Sequence, residues 1–153
     1  ISQNMGARKY ERTRKVVRYC LLMDLVIGGG LGWLMILFRT PLLGIYTSEK
    51  DALIAGGIRL GILGVIYFTN GMQHLMGGVM RAHGYSMLPT CVTFMGICGF
   101  RIIWIFTVFA SFRTLEMLYV SYPISWVITA IAQFVFYMIF RKRAWAKNEK
   151  LFL

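Results

Sequence analysis

The chain has 153 residues, of which 58% are hydrophobic and 15% charged, and it carries 17 Lys and Arg against 6 acids, a net charge of +11. A soluble domain is about 45–50% apolar and about 25% charged, so there is too little polar sequence here for a water-facing surface, and none for a basic face that reads nucleic acid. The balance is that of a membrane protein whose basic residues gather in cytoplasmic segments.

The first eighteen residues, "ISQNMGARKYERTRKVVR", hold Arg8, Lys9, Arg12, Arg14, Lys15 and Arg18 against one acid, Glu11. The acid interrupts the basic run and no small-residue cleavage site follows the apolar stretch, which excludes a secretory signal. The segment is too polar to cross a bilayer. It is expected as a cytoplasmic basic loop, an amphipathic extension of the first span held by anionic lipid.

A hydrocarbon core of about 30 Å needs about 20 apolar residues in a helix. Four stretches meet that length: 19–38, 52–80, 86–112 and 117–140. Short polar joins, "RTPLLGIYTSEKD", "RAHGY" and "RTLE", separate them, and a basic tail, 141–153, follows. No strand-like alternation is sustained, so the chain is expected to be all-α and polytopic. With residues 1–18 inside, four crossings return the C-terminus to the same side. Arg81 and the tail's Arg141, Lys142, Arg143, Lys147 and Lys150 then join the head inside, leaving Arg39, Lys50 and Arg113 outside. That asymmetry places both ends of this stretch in the cytoplasm.

In the first span the one charge is Asp24, on one face with Gly28 and Gly32, a G-x-x-x-G pair suited to close helix contact. Asp24 therefore faces the bundle, either as a binder of a cation or proton or as a structural acid paired with a cytoplasmic-side Arg or Lys. In the second span Arg59, Asn70 and Arg81 are eleven apart, about three turns, and fall on one face. Gln73, His74 and Gly77 join that face. The two arginines can snorkel to headgroups; Asn70, Gln73 and His74 cannot, and must line a cavity or bond between helices.

Arg101 lies about 21 Å into the third span, where it needs a carboxylate partner or a polar cavity. The last span is uncharged and carries a stripe of Tyr122, Ser125, Thr129 and Gln133, with Pro123 placed to bend it. Cys20, Cys91 and Cys98 lack metal or redox spacing and are expected as free, buried thiols. His74 and His83 have no neighbouring carboxylate, and neither a nucleotide fingerprint nor any other enzyme signature is present.

Several stretches, in order, resemble one family. "SQNMGA", with Gln3 and Gly6, resembles the loop after the second helix of each lobe in multidrug and toxic compound extrusion (MATE) transporters. "TPLLGIYTSEKD" looks like the loop after their next helix. "IRLGILGVIYFTNGMQHLMGGVMRAHGYSMLP", with Arg81, Ala82, Gly84 and Pro89, resembles the helix that ends in Arg-(Gly/Ala)-x-Gly before a Pro. "GFRIIWIFTVF" and "YVSYPISW" resemble the last two helices. The resemblance covers nearly the whole chain and rests on the order and spacing of these pieces.

It implies twelve helices in two six-helix lobes, of which this chain would be helices nine to twelve, with eight preceding helices in a longer protein. It implies export of organic cations and other amphipathic compounds in exchange for Na+ or H+ by alternating access, with no enzyme activity and no cofactor beyond the coupling ion. The implied partners are the lipid bilayer and small-molecule cargo. One branch of the family uses acids on its seventh and tenth helices; residues 52–80 have no acid at mid-span, so a coupling acid in the preceding lobe is the expectation. Asp24 matches no known coupling position. The candidates for an ion and substrate pathway are Asp24, Asn70, Gln73, His74, Arg101, Tyr122, Ser125, Thr129 and Gln133. Two other readings stand open: a flippase for lipid-linked precursors, which needs a cationic cavity where the sequence offers only Arg101 at depth, and a stand-alone four-helix scaffold.

Overall fold

A computed structural model describes residues 1–146 in full and the helical backbone to Lys150. The side chains of Lys147 and Lys150, counted in the expected basic tail, and residues 151–153 lie outside the described part. The helices are α1 (Ser2–Gly6), α2 (Tyr10–Leu37), α3 (Arg39–Gly44), α4 (Lys50–Val65), α5 (Tyr67–Ala82), α6 (Met87–Phe109) and α7 (Leu115–Lys150). No strand occurs among the described residues. Helices α2, α6 and α7 are each long and apolar enough to cross a membrane, and α4 with α5 makes a fourth such unit, bent by 53°. The chain is an all-α polytopic membrane fold.

The second span departs from expectation. It is not one helix over 52–80 but two that meet at Ile66, whose φ of −122° and ψ of 27° leave the helical region. The Thr69 amide and the Thr69 hydroxyl both donate to the Ile66 carbonyl, at 3.0 and 2.7 Å. Two residues earlier Gly64 is pressed against the backbone of Gly32 on α2, where a Cβ would meet the Gly32 carbonyl oxygen at 2.9 Å. The close crossing fixes α4, and Ile66 takes up the change of direction. The stripe of Arg59, Asn70 and Arg81 is therefore split over two axes.

Other features of the helices are local. The join after the first span contains α3, with Pro41 in its first turn, where a missing N–H is harmless. Helix α2 begins at Tyr10, so the basic segment continues directly into the span. Helix α7 continues through Pro123 as a single helix. In α6 two π-helical stretches, Phe94–Gly99 and Ile105–Phe109, flank the regular turn Phe100–Trp104 that carries Arg101. Such insertions re-aim side chains along a helix.

Helix α7 packs on α4, α5 and α6, and α2 covers α4 and α5 from the other side. Val17, Met76, Val79, Met80 and Tyr137 form the core where α2, α5 and α7 meet. Helix α6 leans on α7 with one face and leaves the other open, Phe106 and Met87 fully outward. That open face corrects the expectation for the thiols: all three are free, but Cys91 and Cys98 are exposed and Cys20 is half-buried.

Candidate functional site

Helix α7 presents Ser121, Ser125, Thr129 and Gln133 at intervals of four, and all are buried. That spacing stacks them on one face. Their hydroxyls are satisfied mostly within the helix: Ser121 donates to the Leu118 carbonyl at 2.6 Å, Ser125 to Tyr122 at 2.7 Å and Thr129 to Ser125 at 2.7 Å. Gln133 reaches across to α6, its Nε2 donating to Thr93 Oγ1 at 2.7 Å, and Thr93 donates onward to the Pro89 carbonyl at 2.8 Å. Gly96 permits this approach, since a Cβ there would overlap the Thr129 hydroxyl. Gln133 Oε1 is buried without a partner. The Gln133 amide also lies 3.6 Å from where a Cβ on Gly77 of α5 would stand, so three helices meet around it.

Toward the Leu115 end of this seam, Arg101 Nε donates to Ser125 Oγ at 3.3 Å, and the guanidinium sits 3.9 Å from the Tyr122 ring centroid. Arg59 of α4 approaches the same ring at 5.8 Å, and the Tyr119 ring at 5.8 Å. No carboxylate pairs with either arginine among the described residues; the ion pair found there joins Arg14 to Glu11 at 2.9 Å. An aromatic row continues from the arginines, Tyr122 edge-on to Trp126 at 6.4 Å and Trp126 edge-on to Tyr67 at 6.3 Å.

A second polar group lies between α2 and α5. The Asp24 carboxylate rests on Gly71, where a Cβ would overlap it, and on Gly28, whose Cβ would be 3.3 Å from Oδ1. Asp24 Oδ2 is buried with no hydrogen-bond partner. The G-x-x-x-G pair packs as its spacing demands, Gly28 on the Phe68 backbone and Gly32 on the Gly64 carbonyl. Asn70 Oδ1 accepts from Gln73 Nε2 at 3.0 Å, while buried Gln73 Oε1 has no partner.

The structure thus joins Arg101, Tyr122, Ser125, Thr129 and Gln133 in one seam and Asn70 with Gln73 in another. His74 is exposed, on a different side of α5 from Gln73. Asp24 stands apart on the α2 side, with no Arg or Lys paired to it among the described residues. Thr93, Ser121, Arg59, Tyr119 and Trp126 belong to the seam but were not among the sequence candidates. Ser121 stands four before Ser125, a usable signal; Thr93 stands alone in an apolar run and gives none. A cavity of about 260 Å³ between α2, α5 and α7 is lined by apolar side chains, Leu21, Met72, Met76, Ala130, Ile131 and Phe134. No cluster of His, Cys, Asp and Glu suited to a metal ion occurs among the described residues.

The MatE family model matches residues 1–107. The chain is 26% identical over 150 residues to the probable multidrug resistance protein YoeA of Bacillus subtilis, an alignment covering 97% of this chain and 31% of that protein. It is 26% identical over 97 residues to the probable multidrug resistance protein NorM of Thermotoga maritima, covering 63% of this chain and 21% of the relative. Against NorM of Chromobacterium violaceum it is 24% identical over 92 residues, covering 60% and 20%. The chain spans less than a third of the length of each of these relatives. No solved structure matches it.

Proposed function

The chain belongs to the MatE family, and from that premise we propose that it is part of the second lobe of a membrane exporter of cationic and amphipathic drugs, working by exchange for Na+ or H+. In this reading it is not an enzyme. It sits in the plasma membrane with both ends of the stretch in the cytoplasm, and eight further helices precede it in the complete protein. The names of the relatives support the cargo class.

The observation that carries the reading is the bent span with an unpaired carboxylate beside it. Secondary transporters place cargo and ion sites at discontinuous helices, where the break frees polar groups and allows a change of angle. Here the break at Ile66 lies five residues before Gly71, on which Asp24 rests. A charged side chain at membrane depth costs about 2.5–3.5 kcal/mol on insertion scales, so an Asp24 with one oxygen unpartnered gains most from a proton or a cation. Loading and unloading that acid alters the contact between α2 and the elbow, which is how ion exchange would bias the rocking of the lobe. The partly unsatisfied Gln73 and Gln133 supply hydrogen bonds to cargo beside an apolar, aromatic wall.

The test is ethidium efflux by cells making the complete protein. Asp24→Asn and Gln133→Leu should each abolish efflux at unchanged expression. Wild-type efflux in both variants would remove these residues from the pathway.

A further inference from the structure

Two guanidinium groups from different helices approach one tyrosine ring. Arg101 of α6 lies 3.9 Å and Arg59 of α4 5.8 Å from the centroid of Tyr122 on α7. Neither is near a polar surface along its helix: Arg59 is nine residues into α4, about 13 Å from its start, and Arg101 is eight residues before the end of α6, about 12 Å. Like charges converging at such depth repel unless something neutralises them, and no acid among the described residues does.

The donors are also unspent. The Arg101 side chain commits Nε to Ser125, and its terminal nitrogens, like the whole Arg59 fork, make no hydrogen bond among the described residues. A guanidinium fork is shaped for the two oxygens of a carboxylate or phosphate. Around the pair stand Tyr119 and the row Tyr122, Trp126 and Tyr67, which suit a flat apolar body. Arg59 is exposed and Arg101 half-buried, so the pair is open from one side.

We propose that Arg59, Tyr122 and Arg101 form a binding site for the oxyanion of an amphipathic molecule, a carboxylate or phosphate carried beside an aromatic or apolar body. The proposal rests on the exporter reading only in treating the occupant as cargo. It extends that reading from cations to molecules that also bear a negative group. A lipid phosphate offers the same chemistry, and the experiment separates the two sources.

The complete protein in phosphatidylcholine nanodiscs is titrated with 1-naphthoate and with neutral 1-naphthylmethanol. The carboxylate should bind at least tenfold more tightly than the alcohol. That ratio should fall toward one in Arg59→Gln and in Arg101→Gln, and recover in part in Arg101→Lys. If Arg101→Gln does not fold, the exposed Arg59→Gln decides alone. A wild-type ratio near one, or a ratio unchanged in Arg59→Gln, overturns the proposal; a carboxylate from elsewhere in the complete protein filling the site would give the first result. Repetition in phosphatidylglycerol nanodiscs identifies the source: naphthoate displaced there means that a lipid phosphate competes for the same forks, and naphthoate retained means that cargo has the site to itself. Both support oxyanion binding. Ethidium efflux by the wild-type protein is measured alongside, so that a failed exporter reading registers separately from a failed anion site.

Discussion

Asp24 and Gly71 show how much a single residue can fix. The carboxylate occupies the space that any side chain at 71 would need, so Gly71→Ala forces two packed helices apart. Overpacking of this kind destabilises by about 1–3 kcal/mol. Thermal unfolding of the complete protein in detergent should show that loss in Gly71→Ala and its recovery in Asp24→Ala/Gly71→Ala, because the second change vacates the contested space. His83 makes a different prediction. It lies in the join after α5, buried, with Nδ1 donating to the Val79 carbonyl at 2.7 Å and its ring edge-on to Tyr137. On α7, Arg141 lies over the same Tyr137 ring at 5.9 Å. Burial pushes the His83 pKa below its ordinary value of 6.5, against a weaker opposing pull from the Val79 hydrogen bond. The unfolded chain then binds more protons than the folded one just below pH 6.5, so stability is full above that value and falls as the pH drops through the window beneath it. Melting temperatures measured from pH 7.5 to 5 should show this fall in the wild type and a flatter profile in His83→Gln. At this scale the sequence was informative about identity and poor about partners. Asp24 stood out as the lone acid in an apolar span, but that glycine and not a basic residue receives it depends on a helix pairing that no local pattern encodes.

At the scale of elements, the α6–α7 seam lets function be separated from fold. Gln133 makes one hydrogen bond to Thr93 and leaves its own Oε1 unpartnered, while Thr93 retains the Pro89 carbonyl. Removing a half-satisfied buried amide in favour of an apolar side chain of similar size is close to neutral. Gln133→Leu should therefore melt within about 1 kcal/mol of wild type, measured in detergent, even as it loses efflux; a large drop in stability would make Gln133 a structural residue. Elements were the most legible level. Three apolar runs of sufficient length became three helices, and the spacing of Ser125, Thr129 and Gln133 correctly put them on one face. The bent span was the failure. Asn70 and the two arginines do repeat every eleven residues, but that argument assumes a straight helix, and the span bends beside the Gly32–Gly64 crossing, a contact between segments thirty-two residues apart. Arg59 lies against Tyr119 and Tyr122 of α7, and not only among headgroups as a snorkelling arginine was expected to.

For the whole molecule the question is which side each join occupies, and it turns on the bent pair. Two 16-residue helices, each about 24 Å long, joined at 53° can either cross the bilayer together or dip in and return. A return needs a near reversal of direction, and 53° preserves most of the forward travel, so α4 and α5 should count as one crossing. The number of crossings then fixes the sides. Lys9 precedes α2, Lys50 follows it, and Arg113 lies in the join between α6 and α7; all three are exposed. With the native Cys20, Cys91 and Cys98 replaced by Ala in the complete protein, single Cys substitutions at these positions can be probed in intact cells with a maleimide that does not cross membranes. Lys50→Cys and Arg113→Cys should both label from outside, and Lys9→Cys only after permeabilisation. A re-entrant α4–α5 would keep Lys50 outside but bring Arg113 to the cytoplasmic side, because α6 would then be the second crossing and not the third. Inversion of the whole fold would exchange all three. The basic residues of the head argue against inversion, since positive charge is retained on the cytoplasmic side, and the three positions together distinguish every arrangement that the helix lengths allow.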